Sequence, residues 1–244
     1  MQTTTTQRAT ATEPGVSLAG VTRVLGGKRV LDGVDLAVPA HGRVGIVGRS
    51  GSGKSTLLSL VGGLAQPDTG SISGGGLARC ALMPQRDCLL PWRSALDNAC
   101  LALENRGLSR REARLRAAPL FERLGLGSSE GLRPAKLSGG MRQRVAFLRT
   151  LLADKDVLLL DEPFGALDAI TRAELQDWLR DVMQSEPRTM LLVTHDVEEA
   201  LLLCDEVAVL ADGRITTVLP VDVSRRRSDP AFVQLRERTL EALA

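Results

Sequence analysis

Gly48-Arg49-Ser50-Gly51-Ser52-Gly53-Lys54-Ser55 is the stretch on which the fold turns. It fits the pattern GxxxxGK[ST], which holds phosphate where a strand precedes it and a helix follows. Both flanks comply. The apolar run Arg43–Val47 reads as a strand, and Leu57, Leu60, Val61 and Leu64 fall at i, i+3, i+4 and i+7, one face of a helix starting near Gly53. Glycines let the backbone curl until successive N–H groups converge on phosphate oxygens, and the helix N-terminus adds positive potential. Lys54 is expected to reach the β- and γ-phosphates and Ser55 to ligate Mg²⁺, with Gly48, Arg49, Ser50, Gly51, Ser52, Gly53 and Thr56 completing the nucleotide seat.

The same alternation continues along the chain. Residues 157–160 and 190–193 are unbroken apolar runs of the kind found in parallel strands covered on both faces, and Leu175, Leu179 and Val182 form a helical stripe between them. Strand, helix, strand predicts an α/β fold around a parallel sheet. Val34, Leu36 and Val38 alternate as a half-buried strand, and Val207, Val209, Asp212-Gly213 and Ile215 give a hairpin signal. Residues 88–136 are Arg-rich and broken by Pro91, Pro119 and Pro134, which reads as a helical insert. The stretch 230–244 carries Phe232, Leu235 and Leu243 on one possible helical face, and the Thr-rich residues 1–14 read as a disordered tail.

After the run 157–160 come Asp161 and Glu162, carboxylates delivered at the C-terminal edge of a buried strand, where ligands sit in open α/β sheets. Asp161 is expected to hold Mg²⁺ through water, and Glu162 to polarise the attacking water as general base.

Bulk properties exclude other classes. The 244 residues suffice for one sizeable core, and 31 Lys and Arg against 29 Asp and Glu leave a net charge of +2, which argues against nucleic acid as a partner. No apolar stretch reaches the roughly 18 to 20 residues of a spanning helix. Residues 1–14 lack the basic and apolar regions of an export signal, so a cytoplasmic location is expected. The cysteines, Cys80, Cys88, Cys100 and Cys204, form no CxxC pair, and His41 stands alone, so no zinc site is expected.

Leu137-Ser138-Gly139-Gly140-Met141-Arg142-Gln143-Arg144 decides among phosphate-loop proteins. Ser138 can cap a helix continued by Val145, Leu148 and Leu152, making a second anion-binding helix N-terminus. The octapeptide resembles the signature of ABC transporter ATP-binding subunits and lies between Lys54 and Asp161, as in that family. Gln85 resembles its Q-loop glutamine, which senses Mg²⁺ and the attacking water. Gly165-Ala166-Leu167-Asp168 resembles the D-loop that crosses the dimer interface, and His195 the switch histidine that contacts the γ-phosphate. Leu89, Leu90, Pro91 and Trp92, together with Glu162-Pro163-Phe164, look like the nitrate, sulfonate and taurine importer branch.

The resemblance implies an ABC cassette over residues 15–244, with a mainly parallel core, an antiparallel β part, a helical subdomain at about 88–136 and a C-terminal extension at about 220–244. It implies ATP and Mg²⁺ as ligands, and a second copy whose ATP is met by Ser138, Gly139, Gly140 and Asp168. Permease subunits would dock on the patch from Leu89 to Trp92, a periplasmic or extracellular solute-binding protein would act indirectly, and the site of work would be the cytoplasmic face of the membrane. A DNA- or ribosome-directed relative would carry long coiled-coil inserts or tandem cassettes, and a small-molecule kinase would lack Ser138, Gly139 and Gly140. One departure stands out: the family places an adenine-stacking aromatic where this chain has Leu25, and the chain has no Tyr.

Overall fold

A computed structural model describes residues 14–243. The expected tail at 1–14 lies outside them, save Pro14, which opens the first strand. Strands β1 (Pro14–Leu25), β2 (Lys28–Pro39) and β4 (Thr69–Ser73) form an antiparallel sheet with β1 at its centre. The second sheet runs β5 (Cys80–Met83), β6 (Val157–Asp161), β7 (Thr189–Thr194), β3 (Arg43–Val47), β8 (Glu206–Ala211), β9 (Arg214–Pro220). All its neighbours are parallel except β9, the second arm of the expected hairpin.

The apolar runs serve two cores because successive strand residues face opposite ways. Val157 and Leu159 join a core with α1 (Lys54–Val61) and the antiparallel sheet. Leu158 and Leu160 join another with α2 (Ala95–Asn105), α3 (Arg110–Arg123), α4 (Gly139–Leu151), α5 (Ala169–Ser185) and α6 (Val197–Leu203). The insert is helical as expected: Ser94 and Ser109 cap α2 and α3, the latter through a capping box with Glu112. The last helix, α7 (Pro230–Glu241), buries Phe232 and Leu235.

Two expectations need correction. Leu64 does not share the buried face of α1: the helix stops at Val61, Gly63 turns with φ 74°, and Leu64 is exposed. The apolar patch from Leu89 to Trp92 also narrows. The buried Asn98 amide accepts from the Leu90 N–H at 2.7 Å and donates to its carbonyl at 3.1 Å, which pins the turn so that Leu89 enters the core and only Pro91 and Trp92 stay exposed. Cys100 and Cys204 are buried, Cys88 is exposed, and no cluster fit to hold a metal occurs among the described residues. His41 Nδ1 lies 3.0 Å from the Pro187 carbonyl, a local surface contact.

Candidate functional site

The loop leaves β3 at Val47 and enters α1 at Lys54. Gly53 holds φ 104°, and a Cβ there would come 2.8 Å from the Val30 carbonyl; at Gly48 a Cβ would come 2.4 Å from that of Leu210. Only glycine fits either place. Lys54 is buried, its Nζ donating to the carbonyls of Gly48 at 2.7 Å and Arg49 at 2.9 Å. Burial pulls its ammonium below the usual lysine range, against the pull of the Glu162 and Asp161 carboxylates. Ser52 Oγ is buried with no partner, whereas Arg49, Ser50, Gly51 and Ser55 are exposed and Thr56 half-buried. A cavity of about 550 Å³ opens beside the loop between Val30, Arg49, Ser50, Ser52 and Leu243. Leu25, at the tip of the β1–β2 hairpin, is exposed and does not line it.

Facing Lys54 is the end of β6. Asp161 is buried, and burial raises its carboxyl above the usual range, opposed by the Ser55 hydroxyl, reinforced by Glu162 and opposed by Lys54. The Ser55 hydroxyl and Asp161 carboxylate are hard oxygen donors of the kind Mg²⁺ takes, and a cation there would favour the ionised carboxylate, so the donor set fits.

Glu162 follows in a left-handed backbone conformation, φ 48°, rare for a residue with a side chain. Its N–H donates to the Val193 carbonyl at 2.8 Å. Its carboxylate is gripped from two sides: Gln85 Nε2 donates to Oε2 at 3.2 Å, and His195 Nδ1 lies 3.2 Å from Oε1. Gln85 follows β5 and His195 follows β7, so three parallel strands deliver these groups to one edge. A space of about 30 Å³ between Glu162, Gly165, His195 and Glu199 is large enough to hold a water molecule.

Lys54, Ser55, Asp161, Glu162, Gln85 and His195 therefore meet. Ser138, Gly139 and Gly140 stand apart: Ser138 caps α4 by accepting the Met141 N–H at 3.2 Å, and it and Gly139 are exposed. Asp168 caps α5, accepting the Thr171 N–H at 3.0 Å, a bond that holds its carboxyl below the usual range. Two residues escaped the sequence reading. Gln143 is buried on α4 and bonds both Glu162 and Ala166. Glu199 is buried on α6 beneath His195 and Glu162. Each had a signal: Gln143 shares an i, i+3, i+4, i+7 face with Ala146, Phe147 and Thr150, and Glu199 precedes the apolar Ala200, Leu201, Leu202 and Leu203.

Residues 31–165, more than half of the chain, match the family model described as "ABC transporter". The chain belongs to the ABC transporter family. An aliphatic sulfonates import ATP-binding protein from Rhodococcus jostii is 46% identical over 237 residues, 94% of this chain and 93% of that one. A formylaminopyrimidine import ATP-binding protein from Halalkalibacterium halodurans is 44% identical over 216 residues, 87% of each chain. Among solved structures, a dimeric ATP-binding cassette in a post-hydrolysis state with ADP and Pi is similar at TM-score 0.79 and 28% identity, covering 86% of this chain and all of that one. The fold is the ABC ATPase cassette, and the chain is an ATP-binding subunit that hydrolyses ATP to drive transport. The family match takes in Lys54, Gln85, Ser138, Asp161 and Glu162; His195 lies beyond it.

Proposed function

We propose that this ABC ATPase powers import of small organic anions, aliphatic sulfonates foremost, by closing against a second copy of itself around ATP at the cytoplasmic face of the membrane. The carrying observation is the Glu162 carboxylate held between Gln85 and His195 directly after Asp161. The sulfonate import relatives, matched along nearly their whole length, support the solute class.

In this reading the loop 48–56 seats the triphosphate. Lys54 exchanges the Gly48 and Arg49 carbonyls for β- and γ-phosphate oxygens, and the unpartnered Ser52 hydroxyl gains an acceptor. Ser55, Asp161 and Gln85 would hold Mg²⁺, which supplies charge neutralisation on the phosphates. Glu162 takes the proton of the attacking water, Gln85 and His195 orient its carboxylate, and His195 also meets the γ-phosphate. Ser138, Gly139, Gly140 and Asp168 act across the dimer on the partner copy's ATP.

Residues 15–244 work as one ABC ATPase domain, with 88–136 as a helical subdomain and 220–244 as an extension. Pro91 and Trp92, exposed beside the Gln85 segment, are the dock for the permease, whose solute arrives on a separate binding protein. No described helix is long and apolar enough to cross a membrane, consistent with a peripheral subunit.

Deleting the gene and measuring uptake of a labelled alkanesulfonate tests this. Uptake is expected to vanish and to return with the native gene but not with Glu162→Gln. Undiminished sulfonate uptake alongside loss of another solute's uptake would overturn the solute class.

A further inference from the structure

The turn at Ser138, Gly139 and Gly140, exposed at its first two residues, and Glu162 are joined by one side chain. Gln143 lies just beyond the first turn of α4 and is 8% exposed. Its Nε2 donates to the Glu162 carbonyl at 2.8 Å, and its Oε1 accepts the Ala166 N–H at 2.8 Å. Both ends of the amide are thus committed to the turn from Glu162 to Ala166. The first turn of α4 packs on the same segment: a Cβ at Gly140 would meet Leu167 Cδ2 at 3.1 Å and the Ala166 carbonyl at 3.4 Å.

Glu162 needs such a restraint. Its left-handed φ of 48° is one a side-chain-bearing residue adopts only where its surroundings over-determine it. On the far side the Val193 carbonyl takes its N–H at 2.8 Å, and on the near side Gln143 takes its carbonyl. Gln85 and His195 then fix where the carboxylate points. A movement of the α4 N-terminus has a rigid path to the Glu162 backbone, and from there to the group that activates water.

We propose that Gln143 is a positioning residue that ties the conformation of Glu162 to engagement of Ser138, Gly139 and Gly140 by the partner copy's nucleotide. This rests on the reading above in which two copies share their ATP. Each copy then hydrolyses its own ATP in step with the site across the dimer, because the helix that senses the partner's nucleotide also holds this copy's general base. A buried amide that only stabilised the turn would affect folding and turnover without touching communication between the sites.

Two variants test it. Gln143→Leu removes both hydrogen bonds; Gln143→Glu keeps an acceptor for the Ala166 N–H and removes the donor to Glu162. Steady-state ATPase against ATP concentration, nucleotide titration and thermal unfolding are measured on both, with Glu162→Gln dimerisation followed in parallel. ATP affinity is expected to stay within about twofold, kcat to fall about tenfold in both variants, as for the lost hydrogen bond to the Glu162 carbonyl that they share, and the Hill coefficient to drop toward 1. Gln143→Glu keeps the inference testable where Gln143→Leu does not fold. A folded variant with native kcat, or with reduced kcat but a native Hill coefficient, overturns the inference alone. Failure of Glu162→Gln to dimerise with ATP overturns the shared-site reading and the inference with it.

Discussion

Replacing Glu199 with glutamine removes a charge that the fold keeps in poor surroundings. Glu199 is 4% exposed on α6; Gln176 Nε2 reaches its Oε2 at 3.4 Å, while Oε1 is buried without a partner. Burial, helped by the Asp196 carboxylate, pushes its carboxyl up to about 7 from an ordinary 4.5, against the Thr194 hydroxyl, the Arg172 charge and the Gln176 amide. The native state thus keeps a proton that the unfolded chain has already released. Stability from this residue is whole below the unfolded value, declines as the pH rises toward about 7, and is flat above. A tenfold difference in proton affinity is worth about 1.4 kcal/mol, so the displacement amounts to on the order of 3 kcal/mol at mildly alkaline pH. Glutamine has the same shape, no charge to desolvate, and an amide that still meets Gln176. Glu199→Gln is therefore expected to come within about 1 kcal/mol of the native protein near pH 5 and to exceed it by up to about 3 kcal/mol at pH 8. Urea unfolding of both proteins at the two pH values measures this. A stability difference that is the same at pH 5 and pH 8, or a variant weaker than native at pH 8, would mean that burial does not hold a proton on Glu199.

Trp92→Ala is expected to leave folding and nucleotide affinity unchanged, because Trp92 is 69% exposed, while weakening co-purification with the permease subunits at least tenfold, as for a buried aromatic anchor; equal recovery of both complexes would place the dock elsewhere. Leu25→Tyr is expected to tighten ATP by up to about tenfold if about 1.4 kcal/mol of stacking is restored, and to widen the preference over GTP. Fluorescent-nucleotide titration checks it, and unchanged affinity and preference in a folded variant would mean that the adenine is held without this position.

Much of the site was legible because it rests on short-range rules. A strand running into Gly48 and a helix beginning at Lys54 fix the loop locally, and the parallel sheet then carries Gln85, Glu162 and His195 to one edge. The runs at 157–160 and 190–193 announced strands covered on both faces, and two cores take their alternate residues. What failed depended on contacts distant in sequence or on a local stop. The period of α1 continues through Leu64, but Gly62 and Gly63 end the helix first. Leu89 looked like surface beside Trp92 until Asn98 turned it inward. Gln143 and Glu199 acquire meaning only through partners 19 to 23 residues away, Glu162 for the one and Gln176 for the other.

In the proposed function Glu162 activates water in a site completed by a second copy. Size-exclusion chromatography of Glu162→Gln with Mg-ATP, run beside an ATPase assay, tests it most directly. The carboxamide keeps the shape and loses the base, so turnover should fall to background while the protein elutes as an ATP-dependent dimer. A Glu162→Gln protein that stays monomeric and still hydrolyses ATP would mean that Glu162 is not the base and that no second copy completes the site.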